Sequence, residues 1–412
     1  MDVRSISLSS VFKVAAGIVL FVFLVTGFDT PATAQATLKV GFVANMTGPL
    51  GRDYQKMVEA LAAQLNLKGG LQVGSQNYKV EVLSYDSKNN AETGRAAVER
   101  LVFQDKVKFL LGDGTVDAWY QVPESNKVVA IVYTPSPVCL NPKLKYVFQG
   151  SPLNTQGPVA WCWFAKAHPE LKTVGGFHTD NIQGHADAKA LEKLFNILGL
   201  KYADAIFYPP DTTDFSAMAT RMKNANPQVF TCTGGGAVQD SLAVKFMREA
   251  GYTGPLFHYR GIVPGQWAKI VDISAALKGA IFTMSDLDFD PPASPTAREA
   301  KEAYVAKYGT WDNPSPPFAV SWYLLKAALE TAKTTDVDNV AAVISGGIKF
   351  DTLLAPGMMI SRPDMNNPRT IDGLYGTTIA TVEGGKVKVV DRISQEEGFE
   401  LIKKYRIFGT YK

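Results

Sequence analysis

The sequence predicts an α/β protein of two lobes, each a mainly parallel sheet flanked by helices, with a ligand cleft between them. Three observations predict it. Strand and helix patterns alternate from residue 38 to 284. The strands are short and almost continuously apolar, as in parallel sheets covered on both faces. The rhythm breaks twice, over 137–158 and after Asp286, where Pro-rich segments read as crossings between lobes.

In order, the first strand, 38–44, runs straight into the turn Thr47-Gly48-Pro49-Leu50-Gly51, which opens a helix at 54–67. A strand at 79–86 and a helix at 91–103 follow, then apolar strands at 107–112 and 128–133. Beyond the first break come strands at 173–178, 203–208, 228–233, 255–259 and 279–284, spaced by amphipathic helices at 187–198, 215–224 and 238–250. After the second break, helices at 296–308 and 318–331 have no comparable strand between them. Residues 377–382 and 386–391 form a hairpin turned by Glu383-Gly384-Gly385. The expected lobes are 35–150 with 286–365, and 151–285 with 366–412.

Residues 1–34 read as an export signal. Arg4 and Lys13 precede or begin an apolar run, 14–25, and Ala32-Thr33-Ala34 fits a small-x-small cleavage site. The run is about 12 residues, short of the roughly 20 that span a bilayer. Hydrophobic content of 46% and charged content of 20% suit a globular core. The net charge of +3 comes from interspersed acids and bases, with no basic stripe to suggest nucleic acid. Three cysteines in an exported chain allow one bridge, with Cys139–Cys162 the candidate pair and Cys232, in an apolar strand, a buried thiol.

Catalytic signatures are missing. The chain has no GxxxxGK[ST] loop, GxSxG elbow or HExxH helix, and its four histidines lack metal spacing. His178 and His185 flank Asp180, which suits loop and helix-surface histidines better than an acid–base site. Gly234-Gly235-Gly236 follows a strand without the Lys-Ser/Thr of a phosphate loop, and so suits close backbone approach or a tight turn. A binding protein rather than an enzyme is expected, with no cofactor and no metal.

At this point the chain resembles the branched-chain amino-acid-binding type of periplasmic solute receptor. The residues that carry the likeness are the 47–51 turn, Asn66-Leu67-Lys68-Gly69-Gly70, Tyr85-Asp86-Ser87, Phe109-Leu110-Leu111-Gly112, Tyr133-Thr134-Pro135-Ser136 and the run from Tyr208 to Ser216. Their order and spacing are more specific than any one of them. The resemblance implies a type I periplasmic binding fold that closes on its solute like a clamp, located in the periplasm. It also implies a partner in the permease subunits of an ABC importer at the inner membrane, and a monomer in free solution. A sensing module of the same fold stays open as an alternative.

It implies, further, that first-lobe loops hold the solute's carboxylate, here through Gly114, Thr115, Val116, Tyr133, Thr134 and Ser136. Loops that lead into helix N-termini favour an anion on independent grounds. Two departures stand out in the second lobe. Gln183 stands where the family has a ligand-facing Tyr, and Arg260 where amino-acid receptors have the acid that pairs with the ligand's ammonium group. A cation there disfavours an ammonium and suits a carboxylate. The expected solute is therefore an aromatic or aliphatic acid without an α-amino group, an amino acid, amide or urea-like solute remaining open. Tyr54, Trp119, Tyr259 and the backbone at Gly235 complete the expected cleft, with Tyr133 and Trp267 as weaker aromatic walls.

Overall fold

A computed structural model describes residues 35–405 apart from 135, 153–155, 235, 313, 315 and 363–366. The leader read at 1–34 lies outside the described residues.

The first sheet has the order β2-β3-β1-β4-β5-β6, built from β1 (Ala36–Ala44), β2 (Leu71–Val73), β3 (Gln76–Asp86), β4 (Phe109–Gly112), β5 (Val129–Val132) and β6 (Val147–Gln149). Strands β1, β4, β5 and β6 pair in parallel. Their side chains alternate between two cores. Phe42, Phe109, Leu111, Val129 and Ile131 enter one, while Val43, Leu110, Ala130 and Val132 enter the other. Burial on both faces is why these strands carry unbroken apolar runs such as Phe109-Leu110-Leu111. Helices α1 (Pro49–Leu67) and α2 (Ala91–Phe103) cover this sheet from opposite sides, α1 contributing Tyr54 and Met57 to the first core and α2 Val98 and Leu101 to the second.

The second sheet contains β7 (Thr173–Thr179), β8 (Lys201–Tyr208), β9 (Val229–Thr233), β10 (Leu256–His258) and β11 (Ala280–Met284), then the hairpin β15 (Thr377–Glu383) and β16 (Lys386–Ile393). Its order is β16-β15-β11-β10-β9-β7-β8. It too separates two cores. Phe230, Cys232 and Leu256 face one, Val229 and Phe257 the other. The latter is covered by α3 (Gln156–Ala167) and α4 (Ile182–Leu198), the former by α5 (Ser216–Asn224) and α6 (Gly236–Glu249).

The nine strands expected between 38 and 284 are all present, as are the C-terminal hairpin and the helices α7 (Pro295–Tyr308) and α8 (Val320–Ala332). Three details differ from expectation. Much of 137–158 stays with the first lobe as a 3₁₀ turn, Pro137–Leu140, and β6, so the crossing is narrower. A third sheet, β12 (Lys349–Phe350), β13 (Met358–Arg362) and β14 (Asn367–Asp372), joins the first-lobe core through Phe350, Met358, Ile360 and Ile371. Strand β14 follows the start of the stretch expected with the second lobe, and its Ile371 packs in the first-lobe core.

Arg369 explains this last point. Buried at 6% exposure, it donates from Nε to the Cys139 carbonyl at 3.1 Å, from Nη1 to the Leu144 carbonyl at 2.9 Å and from Nη2 to the Val147 carbonyl, with its guanidinium over the Phe148 ring. A buried cation is tolerated where its donors are used in this way. The chain then passes to the second sheet over Gly373–Gly376, beside the first crossing, where Pro152 bridges Ile371.

The cysteines correct another expectation. Cys139, Cys162 and Cys232 are all free and buried. Cys139 lies in a first-lobe core and Cys162 on α3, whose neighbours Trp161 and Phe164 belong to a second-lobe core, so no bridge joins them. Burial pushes both thiols up to about 12.

Candidate functional site

A cavity of about 310 Å³ opens between the lobes. From the second lobe and its crossings come Gln156, Tyr259, Arg260, Gly261, Val263, Thr283, Met284, Ser285, Asp288 and Thr377. From the first lobe come Pro316, Pro317, Leu354 and Leu374. The wall is apolar on the first-lobe side and carries its charge on the other.

Arg260 follows β10. Its side chain is 30% exposed, and Nη2 meets Asp187 Oδ2, on α4, at 2.6 Å. Burial alone would lower the guanidinium's affinity for its proton, but the neighbouring Tyr259, Asp187 and Asp240 hold it above its ordinary value. Asp187 thus orients and charges the fork without consuming all five of its donors. Asp286 is engaged elsewhere, accepting the N–H groups of Ala293 and Ser294 at 2.9 and 2.8 Å.

Tyr259 is 5% exposed and packs against Trp161. A Cβ on Gly157 would stand 2.7 Å from its ring, so that glycine is what lets α3 approach. Tyr133, at the end of β5, stacks on Phe318 at 3.8 Å between centroids. Burial raises its hydroxyl's pKa, and the charge of Arg260 pulls it back. Tyr133 and Arg260 therefore feel one another across the cleft, although they come from different lobes.

The other expected residues distribute unevenly. Gly114 is exposed, with open space where a Cβ would be, and Thr115 is half-buried, its hydroxyl accepting Trp119 Nε1–H at 3.1 Å. Val116, Trp119 and Tyr54 are buried in first-lobe cores, with the Tyr54 hydroxyl bonded to Ser321. None of these five is among the residues that line the cavity. Thr134 and Ser136 serve the turn. The Thr134 hydroxyl accepts the Ser136 N–H at 3.0 Å, and the Ser136 hydroxyl accepts the Val138 N–H at 3.3 Å and donates to Asp117 at 2.7 Å. The Gln183 side chain and Gly235 lie outside the described residues. Gly234, at φ +99°, would place a Cβ 2.6 Å from the Thr179 hydroxyl, in keeping with close backbone approach.

The glycines that end two of the motifs share one task. A Cβ on Gly51 would stand 2.2 Å from the Asn45 carbonyl oxygen, and one on Gly184 1.9 Å from that of Thr179. Each lets a helix begin directly beneath the loop that leaves the preceding strand. Around the first loop, Asp86 accepts the Met46 N–H at 2.9 Å and the Thr47 hydroxyl at 2.5 Å, and Asp113 accepts the Asn45 N–H at 2.8 Å. Burial pushes the Asp113 carboxyl up to about 6.

The histidines do not gather into an acid–base site. His185 is on the surface, paired with Asp180 at 2.8 Å. His178 is buried and faces the Tyr202 hydroxyl at 3.1 Å, with its pKa pushed down to about 4 by desolvation and the Arg260 charge. Cys232, Asp240 and His258 do bring donor atoms within 4.8 Å of one another, all buried. They bond mainly to one another: His258 Nε2 lies 3.2 Å from Asp240 Oδ2, Tyr208 donates to Oδ1 at 3.4 Å, and the Cys232 thiol points to the Asp240 carbonyl, while His258 Nδ1 has no partner among the described residues. Burial holds that thiol well above its ordinary range, away from the thiolate a metal needs. Among the described residues no helix is long and apolar enough to cross a membrane.

Sequence reasoning missed most of the cavity's first-lobe wall. Pro316, Pro317, Leu354 and Leu374 follow the second crossing, in segments without periodic signal, and only the return of the chain to the first lobe brings them to the cleft.

Comparison with known proteins bears on the family and the fold. The model of a family described as periplasmic binding protein matches residues 37–380. The Leu/Ile/Val-binding protein homolog 3 of Brucella melitensis is 24% identical over 354 residues, covering 83% of this chain and 92% of the relative. Among solved structures, a solute binding protein of an ABC transporter from Rhodopseudomonas palustris BisB5, in complex with 3,4-dihydroxybenzoic acid, superposes with a TM-score of 0.64 at 19% identity, covering 87% of this chain and 98% of that one. The branched-chain amino acid transporter substrate binding protein of Streptococcus pneumoniae, in complex with isoleucine, gives 0.62 at 19% identity, covering 86% and 99%. The chain belongs to the periplasmic binding protein family, solute-binding proteins rather than enzymes, and has the type I periplasmic binding fold; it is similar to Leu/Ile/Val-binding proteins.

Proposed function

We propose that this protein is the periplasmic receptor of an ABC importer, and that it captures a small organic acid without an α-amino group. The observation that carries the reading is Arg260, a partly exposed guanidinium on the wall of the interlobe cavity, fixed from behind by Asp187. Such a planar fork suits a carboxylate, and an ammonium group placed against it would be repelled. Val263, Met284, Leu354, Leu374, Pro316 and Pro317 offer an apolar bed for an aromatic or aliphatic body. Closure of the lobes excludes water and strengthens the ion pair, and the closed, loaded monomer is the form offered to the permease subunits. The aromatic acid bound by the Rhodopseudomonas palustris neighbour supports the same class.

A second reading, an amino-acid receptor, has Asp288 in its favour, since it places a carboxylate on the same cavity wall. A thermal-shift screen of ligand-stripped protein separates the two. Its panel pairs 3-phenylpropionate with phenylalanine and 4-methylvalerate with leucine, and adds benzoates, dicarboxylates and amides. A solute at about 100 times its dissociation constant adds roughly 2.7 kcal/mol of stability. Stabilisation by the acids, lost in Arg260→Ala, is the expected result. Best stabilisation by leucine or phenylalanine would overturn the reading.

A further inference from the structure

The carboxylate reading leaves one charged group of the cavity unused. Asp288 ends a 3₁₀ turn, Asp286–Asp288, in the crossing from the second lobe to the first, and lines the same cavity as Arg260. The turn holds it firmly. Asp288 Oδ2 accepts the Ser285 N–H at 2.9 Å, and the Ser285 hydroxyl accepts the Leu287 N–H at 3.3 Å, so the two residues cap each other.

That bond uses one carboxylate oxygen. No ion pair or further hydrogen bond engages Asp288 among the described residues. Lys301, the cation whose charge reaches it, donates instead to the Phe289 carbonyl at 2.9 Å and lies 3.5 Å from Asp290. The group is half-buried, and desolvation pushes its pKa up to about 6. A capping role accounts for Oδ2 alone, and a neutral Asn or Ser would fill it as well. The second Asp288 oxygen has no protein donor among the described residues and is not sealed from solvent, so a solute entering the cavity can replace water as its donor.

We propose that Asp288 is the second pole of the solute site and accepts a hydrogen bond from an O–H or N–H group of the solute. The solute then carries two polar features, a carboxylate for Arg260 and a hydroxyl or phenol donor for Asp288, on a mainly apolar body. This inference rests on the cavity being the solute site, and it deepens the carboxylate reading by naming what else the solute bears.

The test uses isothermal titration of the purified, ligand-stripped protein with one scaffold carrying three substituents: 3-phenylpropionate, 3-phenyllactate and phenylalanine. Benzoate with 3-hydroxybenzoate and 4-hydroxybenzoate forms a parallel series. Asp288→Asn is compared throughout, because its amide oxygen can still accept the Ser285 N–H. The expected result is that a donor-bearing acid binds about tenfold to a hundredfold more tightly than its plain parent, the range for a hydrogen bond to a charged group. In Asp288→Asn that preference, read as the ratio of the two dissociation constants within one protein, collapses to about one, while the plain acid, freed of a neighbouring negative charge, binds at least as tightly; a cooperative melting curve certifies the variant's fold. If Asp288→Asn does not fold, Asp288→Ser takes its place.

Equal binding of plain and donor-bearing acids, or a preference that survives Asp288→Asn, overturns the role of Asp288 and leaves the carboxylate reading standing. Binding of phenylalanine alone, lost in Asp288→Asn, supports Asp288 and overturns the reading that the solute lacks an amino group. Absence of binding by every member of both series overturns the two together.

Discussion

Gly184→Ala tests whether the fold and the cavity are coupled through one close approach. The new Cβ would stand 1.9 Å from the Thr179 carbonyl oxygen, with the Thr179 carbon at 2.9 Å and nitrogen at 3.1 Å. Ordinary contacts of this kind lie near about 3.5 Å, so helix α4 must back away by roughly 1.5 Å. The obstacle is backbone, and no side-chain rotation relieves it. Overpacking of this kind costs about 1–3 kcal/mol. The Asn181 side chain, which accepts the Gly184 N–H at 2.8 Å, also loses its cap bond, worth about 1 kcal/mol. Alanine's better helix propensity returns up to about 1 kcal/mol. The net loss is about 2 kcal/mol, which at roughly 2–4 °C per kcal/mol for a cooperative unit the size of one lobe lowers the melting temperature by about 4–8 °C. Asp187 sits three residues further along the same helix and would move with it, loosening its grip on Arg260, so solute affinity falls as well. The control is Gly346→Ala, where a Cβ meets nothing within 4 Å. The assay is thermal unfolding with and without saturating solute. A Gly184→Ala protein that melts within 1–2 °C of the parent, while Gly346→Ala behaves the same, would refute the reasoning.

Three further outcomes follow from the structure. Arg369→Met leaves three carbonyls of the first lobe without this donor; a buried polar group left unpaired costs about 1–3 kcal/mol, read as a lower urea midpoint. Asp113 has its carboxyl raised to about 6 in the folded protein, against about 3.9 unfolded. Its contribution is therefore complete below pH 4 and lost as the pH rises through 6, and Asp113→Asn should flatten that part of the stability profile. His178, held near 4 against about 6.5 unfolded, acts with the opposite sign. Stability is lost as the pH falls from about 6.5 to 4, and His178→Phe should reduce that loss in the same titration.

How much of this was legible in the sequence depended on the kind of signal. The central strands announce themselves because both their faces are buried, so Phe109-Leu110-Leu111 and Val129-Ala130-Ile131-Val132 are apolar without interruption. Strands β2, β6 and β12 are two or three residues long and carry no period to detect. Arg260 was visible as a departure from a family pattern, but its partner was not. Asp187 is 73 positions away on an amphipathic helix, one acid among several. Aromatic residues misled for a related reason. Tyr54 and Trp119 lie beside ligand-type loops in sequence, yet the helical turns that follow those loops rotate them into the core. The cysteine pairing failed because a separation of 23 residues says nothing about which lobe each thiol enters.

Those three buried thiols make the protein its own stopwatch. Cys139 lies in a first-lobe core, Cys162 on the buried side of α3 in the second lobe, and Cys232 on the opposite face of the second sheet. A thiol reagent can reach none of them without an opening of the core that holds it, so the rate at which each is modified counts how often that core exposes itself. No cysteine need be engineered in, since all three are already free. Mass spectrometry of the three cysteine peptides would then tell whether the lobes breathe separately or as one, and whether a bound solute slows both together.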